Sequence, residues 1–180
     1  MQTKQLFIKD WEGEDFTAFY RLNNDEKVME FFPHRLNHQE AFEKFTAILK
    51  PDLTTGIGIK ALQQKSSGKI IGMCGLIHVN LPDFFPNNTV EIMWRILPEF
   101  QRQGFAFEAA HYMIKQGFIN LNINTIIAFT AATNQPSLKL MQKLGMQESL
   151  QKRFMHPKVP DSHPRLKLHR TFEIEKQNKL

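Results

Sequence analysis

A single cysteine, Cys74, stands in 180 residues, so no internal disulfide can form. That usage is compatible with a reducing cytoplasm, the compartment expected here. No apolar stretch approaches the ~20 residues that a membrane-crossing helix needs. Residues 1–15 lack an apolar h-region and read as mature protein rather than a secretory leader. There is no arginine-rich run and no recognised nucleic-acid motif, so direct nucleic-acid recognition is not expected despite a net charge of +5. His156, His163 and His169 lack the cysteines or helical histidine pair of a tetrahedral metal site, and no metal is expected. Internal repeats and low-complexity linkers are also missing. One domain over residues 1–180 is expected, with 175–180 as a mobile tail.

What is present centres on residues 89–120. Val90, Ile92, Trp94 and Ile96 alternate with Glu91, Met93 and Arg95, the period-2 pattern of a strand. Pro98 cannot donate to a ladder and biases Leu97 toward extended backbone, so the strand ends there. A turn follows, Gln101-Arg102-Gln103-Gly104-Phe105-Ala106. Helical spacing then puts Phe105, Ala109, Tyr112, Met113 and Phe118 near one face. The first turn of a helix leaves about four N–H groups without intrahelical partners, and the dipole adds about half a positive charge. Gly104 lets backbone approach a ligand, Ala106 is nearly as small, and Arg102 adds a cation. An anion such as a phosphate suits that turn. An ordinary strand-to-helix turn with a convenient glycine also fits the spacing.

Gln101-x-x-Gly104-x-Ala106 resembles the Q/R-x-x-G-x-G/A turn of GNAT-superfamily N-acetyltransferases, whose backbone amides hold the pyrophosphate of acetyl-CoA. The string GFAFEAA resembles the RimJ/RimL-type branch. A second segment, from Asn134 through Ser137 to Leu144-Gly145-Met146, is similar to the N-x-x-S/A…K-L-G-F stretch of the same superfamily. The resemblance implies an α+β fold: a central, mostly antiparallel twisted sheet of about seven strands, flanked by helices.

The remaining chain fits this outline. Residues 5–9 form a first strand. Asp15 caps a helix through Leu22, and Asn24 caps a second through Phe32, ended by Pro33. Asn37-x-x-Glu40 resembles a capping box. It opens a helix with Ala41, Phe42, Phe45, Ile48 and Leu49 on one stripe, closed by Pro51. Gly56-x-Gly58-x-x-Ala61 matches a dinucleotide pattern, but it lies inside a strand rather than between a strand and a helix, so that reading is rejected. Ser66-Ser67-Gly68 turns the chain into an apolar strand over 69–79, giving an antiparallel hairpin. Cys74 in that strand reads as a buried structural thiol. Residues 80–88 form a loop whose Phe84 and Phe85 either flank an acceptor pocket or fold back onto the core, the second reading being favoured. Strands are expected over 125–131, 147–155 and 166–174, with a helix over 137–144, Pro136 near its start and Gly145 past its end.

The resemblance implies transfer of acetyl from acetyl-CoA to a primary amine by direct attack. Backbone of Trp94, Ile96 and Leu97 would pair with the pantetheine, in a splay between that strand and residues 125–131. Gln101, Arg102, Gln103, Gly104, Phe105 and Ala106 would hold the pyrophosphate. Asn134 and Ser137 would sit near the sulfur end. Glu91 is the candidate general base, with a solvated strand carboxylate as the alternative. Many members carry a proton-donating Tyr where Met141 stands, so Ser137 or water must protonate the thiolate. The expected acceptor is a protein N-terminal amine. A polyamine or aminoglycoside acetyltransferase and a non-catalytic CoA-binding module are the rivals. Both a monomer and a homodimer fit the sequence.

Overall fold

The computed structural model describes residues 1–49 and 57–177. In chain order the elements are β1 (Leu6–Lys9), α1 (Phe16–Asn24), α2 (His38–Ile48), β2 (Gly58–Gln64), β3 (Ile70–His78), β4 (Val90–Ile96), α3 (Phe105–Asn120), β5 (Thr125–Ala131), α4 (Gln135–Lys143), β6 (Gln147–Met155), α5 (Pro164–Lys167) and β7 (Leu168–Glu175). The strands form one sheet in the order β1-β2-β3-β4-β5-β7-β6. Every neighbouring pair is antiparallel except β4 and β5. This is the expected α+β architecture, with helices on both faces.

Each face carries its own core. On one, Val90, Ile92 and Ile96 pack with Phe105, Ala109 and Met113 of α3 and Leu138 and Met141 of α4. On the other, Trp11, Phe19, Phe45, Ala61 and Met73 form the cluster under α1 and α2, with Met93 against it. The alternation of β4 thus sends one set of side chains to each core. Glu108 of α3 accepts from Gln5 N–H (2.6 Å) and Gln5 Nε2 (2.8 Å), tying that helix to the entry of β1.

Local sequence signals are realised where nothing competes. The Asn37–Glu40 capping box forms reciprocally, with Glu40 N–H to Asn37 Oδ1 at 2.9 Å and Asn37 N–H to Glu40 Oε2 at 2.8 Å. Gly145 takes the left-handed conformation past α4 (φ 82°). The β2–β3 hairpin is antiparallel, and Cys74 is fully buried. Phe85 is buried against Phe129 and Phe154, whereas Phe84 is 39% exposed. Pro51 and Gly56 lie outside the described residues.

Four expectations are corrected. Asp15 precedes α1, yet its carboxylate accepts from Glu12 N–H (2.9 Å) and closes the 3-10 turn before the helix instead of capping it. No helix runs from Asn24 to Phe32. Asp25 Oδ1 accepts from Lys27 and Val28 N–H, and a single turn closes through Met29 N–H to Asp25 O. Met29 is buried, Phe31 packs toward Val159 and Leu166, and Phe32 lies under Arg95. Side chains drawn to different neighbours share no stripe, so the helix does not propagate. Phe42 leaves the α2 stripe and is 50% exposed. The last strand starts at Leu168 rather than Leu166, because Pro164 opens a helical turn that buries Leu166.

The β6–β7 pairing is irregular. Ser149 faces Thr171 and Phe154 faces His169, so β6 carries extra residues in a bulge. Thr171 Oγ1 donates to Lys152 O (2.6 Å) across it.

Strands β2 and β3 approach most closely at Gly75. A Cβ there would lie 2.1 Å from Gly58 O and 2.6 Å from Ile59 Cα. Gly75→Ala is expected to cost about 1–3 kcal/mol in urea denaturation, as overpacking against backbone does. Gly13→Ala, with nothing within 4 Å of the added carbon, serves as control and should shift stability by no more than about 0.5 kcal/mol.

Candidate active site

The parallel pairing of β4 with β5 is brief. Only Val90↔Ile126 and Glu91↔Ile127 are in register, and the strands then separate. On its other side β4 stays paired with β3 from Val90 to Ile96. Leu97 N–H donates to Ile71 O (2.9 Å) and Val79 N–H donates to Thr89 O (2.9 Å), which fixes the phase of that antiparallel ladder. Hydrogen-bonded pairs alternate, so Arg95 and Met93 direct their backbone groups at β3. Trp94 and Ile96 direct theirs into the gap left by β5. Leu97, whose N–H is taken by Ile71, does not present that donor to the gap.

The turn beyond β4 is held by side chains. Gln101 Nε2 donates to Ile96 O (2.9 Å), and Gln103 Nε2 donates to Glu99 O (2.8 Å). Arg102 and Gly104 both have positive φ, 60° and 90°, which bends consecutive amides to one side. Among the described residues, no acceptor meets the N–H groups of residues 102–107; the first helical bond of α3 is Glu108 N–H to Gly104 O (2.9 Å). A Cβ on Gly104 would meet nothing within 4 Å, so the space beside the turn is open. Free amides at the N-terminus of a sixteen-residue helix, with Arg102 beside them, form an anion cradle. These residues fit a pyrophosphate.

Asn134 and Ser137 stand at the start of α4, beyond the end of β5. Asn134 Oδ1 accepts from Ser137 N–H (3.2 Å), and Nδ2 donates to Thr130 Oγ1 (2.9 Å), so the side chain ties α4 to β5. Ser137 is half-buried. Met141 is 1% exposed and belongs to the core.

Glu91 sits where the β4–β5 pairing stops, on the opposite face of β4 from α3. It lines a small cavity of about 200 Å³ with His78, Phe129, His156 and Lys158. Part of its surface opens to that cavity, but the carboxyl lies deep among protein atoms. Burial pushes its pKa up to about 8, against the smaller opposing pull of Arg95. Burial likewise brings Arg95 down to about 10. Arg95 Nη1 donates to Asn23 Oδ1, its guanidinium lies 4.3 Å from the Phe32 ring centre, and its buried Nε has no partner. His156 and His169 pack ring on ring at 4.6 Å, beside Phe129 and Phe154. Burial lowers the pKa of both, that of His169 to about 4. Among the described residues no group of three side chains could hold a metal. Burial raises the Cys74 thiol pKa strongly, as befits a structural residue.

Sequence reasoning missed Arg95, His156 and Lys158. Arg95 was legible, since period-2 alternation puts it on the Glu91 face. The other two reach the cavity only through the β6–β7 loop, which no local pattern announces.

Comparison with known proteins identifies the family and the fold. The family model described as an acetyltransferase (GNAT) domain matches residues 5–147. An uncharacterized N-acetyltransferase of Bacillus subtilis, YnaD, is 30% identical over 144 residues, 80% of each chain. A GNAT-family acetyltransferase from Bacillus anthracis superposes with a TM-score of 0.77 at 21% identity, covering 97% of each chain. Spermidine N-acetyltransferase from Vibrio cholerae, in a complex with CoA and spermine, gives 0.74 at 20% identity over 96% of each. The chain belongs to the GNAT acetyltransferase family. Its members move an acetyl group supplied by acetyl-CoA, and acetyl transfer is the activity of this chain. No helix among the described residues is long and apolar enough to cross a membrane.

Glu91 generates a prediction about stability. Its folded pKa of about 8 exceeds the ordinary 4.5, so the folded chain keeps a proton that the unfolded chain releases between those values. Its contribution is therefore fully present below pH 4.5 and is lost as pH rises through 8. Glu91→Gln removes the dependence. Measured by thermal unfolding, the variant should gain stability relative to wild type on going from pH 5 to pH 8.

Proposed function

We propose that the chain transfers acetyl from acetyl-CoA to a primary amine by direct attack, with Glu91 as general base. The observation that carries this reading is the position of Glu91: a buried carboxyl of raised pKa at the point where the free edge of β4 begins. The backbone of Trp94 and Ile96 offers that edge to the pantetheine, and a backbone N–H there faces the developing oxyanion. The cradle of residues 101–106 takes the pyrophosphate. Asn134 orders the start of α4 near the sulfur end.

The amine nitrogen forms a bond to the thioester carbonyl carbon as the carbon–sulfur bond breaks, its electron pair going to sulfur. The amine proton passes to Glu91, directly or through one water. A pKa near 8 suits that task at neutral pH. Sulfur regains a proton from Ser137 or water, because Met141 has none to give. Positioning supplies most of the acceleration.

The acceptor we favour is a protein N-terminal amine, as in the RimJ/RimL-like branch that the GFAFEAA string resembles. An α-amine, with a reference pKa near 8 against about 10.4 for lysine, is the easier one for a single weak base to deprotonate. A second observation favours a polyamine: Asp25, Glu26 and Glu99 line an open cleft with Lys27 and Pro98. Pro98 and Glu99, however, follow the far end of β4 from Glu91. Seven residues of extended chain separate Glu91 from Pro98, roughly 23 Å. An amine drawn to those carboxylates is remote from the base.

Two measurements test the reading. Acetyl-CoA at about 100 times its dissociation constant should stabilise the protein by about 2.7 kcal/mol in thermal unfolding. Gly104→Val, which forces a branched side chain into positive φ beside the cradle, should abolish most of that shift, whereas Arg102→Ala should give a modest, salt-sensitive loss. In thiol-release assays with peptide amines, kcat/KM should rise with pH through about 8, and Glu91→Gln should remove that limb. An unchanged limb would remove Glu91 from the role, and acetyl-CoA binding without turnover would leave a binding module.

A further inference from the structure

Charge around the Glu91 cavity is unbalanced. Lys158 lines it directly, together with His156. Arg95 lies on the same face of β4 as Glu91, and its electrostatic influence reaches that carboxyl. Lys44 of α2 is exposed and feels both Arg95 and Lys158 as repelling neighbours. Among the described residues, none of these three cations makes an ion pair with a carboxylate. Glu40, the other acid near Lys44, is engaged by the Asn37 N–H and by His34. Arg95 meets only the neutral Asn23 amide and the Phe32 ring, with Nε buried and unpartnered. Buried guanidinium without an anion is costly, and an incoming anion relieves that cost.

Resting on the acetyl-transfer reading above, we infer that the acceptor is an amine carrying a carboxylate close by, seated in the cavity with its amino group toward Glu91 and its carboxylate toward Lys158. One carboxyl and one ammonium group in the same cavity, with the positive field of Arg95 reaching the carboxyl, complement such a molecule. They oppose a polycation, which would bring positive charge against Lys158 and Arg95. An acidic residue at a peptide amino terminus supplies this chemistry, and so does the α-carboxylate of a free amino acid. The cavity of about 200 Å³ admits a side chain or a small amino acid but not a bulky ring system.

The test is acetyl transfer with matched acceptors: peptides beginning Asp or Asn with blocked carboxyl ends, free aspartate, free aspartate diamide, and spermidine. The acidic peptide should exceed its Asn counterpart in kcat/KM by about tenfold at low salt, an advantage that shrinks as salt rises. Lys158→Gln, an exposed loop substitution, should lower kcat/KM for the Asp peptide far more than for the Asn peptide, erasing most of the difference through KM. Lys44→Gln is the second variant, should Lys158 alone be compensated. Preference for free aspartate over the peptide assigns the carboxylate to a small amino acid. Equal use of Asp and Asn peptides, or preference for spermidine, overturns the inference and leaves acetyl transfer standing. Absence of thiol release with every amine overturns the proposed function and this inference with it.

Discussion

The two-residue parallel contact between β4 and β5 governs the rest of the molecule. Had the strands stayed in register, the sheet would be closed and Trp94 and Ile96 would bond to β5. Because pairing stops at Glu91↔Ile127, backbone polar groups of β4 are left facing a gap instead of a neighbouring strand. The sheet tolerates this because β3 holds β4 along its whole length. Each core then supports one wall: α3 and α4 on the side of Val90, Ile92 and Ile96, and α1 and α2 on the side where Met93 projects.

Strand and turn are mechanically joined. Gln101 grips the last carbonyl of β4, and Gln103 grips Glu99, so the cradle amides are set relative to the strand edge by side-chain hydrogen bonds rather than by helix packing alone. The motif glutamine thus positions the turn, while the unpartnered amides belong to its neighbours. Arg102 accepts an uncommon backbone conformation to complete the curve.

Much of this was legible in the sequence. Alternation along residues 90–96, the capping box at Asn37 and the glycine after α4 are local signals with local physical causes, and each appears as read. The segment from Asn24 to Phe32 was misread because its residues look helical by propensity, yet Met29, Phe31 and Phe32 are claimed by three separate neighbours. Leu166 was assigned to a strand by alternation, but Pro164 and a nearby apolar pocket decide otherwise. Glu91 was singled out because it lies on the motif strand. Its raised pKa was not readable, since burial depends on the loops that fold over it. His156 and Lys158 come from the far end of the chain and meet Glu91 only through tertiary topology.

Strand β6 occupies one border of the sheet and exposes Leu150 and Met155. An uninterrupted border of this kind would recruit further strands from other molecules. The bulge between Ser149 and Phe154 breaks the ladder and bends the strand, so an approaching chain meets mismatched donors and acceptors after only a few residues. The irregularity therefore works as a brake on fibrous growth. Straightening it by deleting residues would lengthen the regular border, which lies two strands from β4 in chain order and three in the sheet.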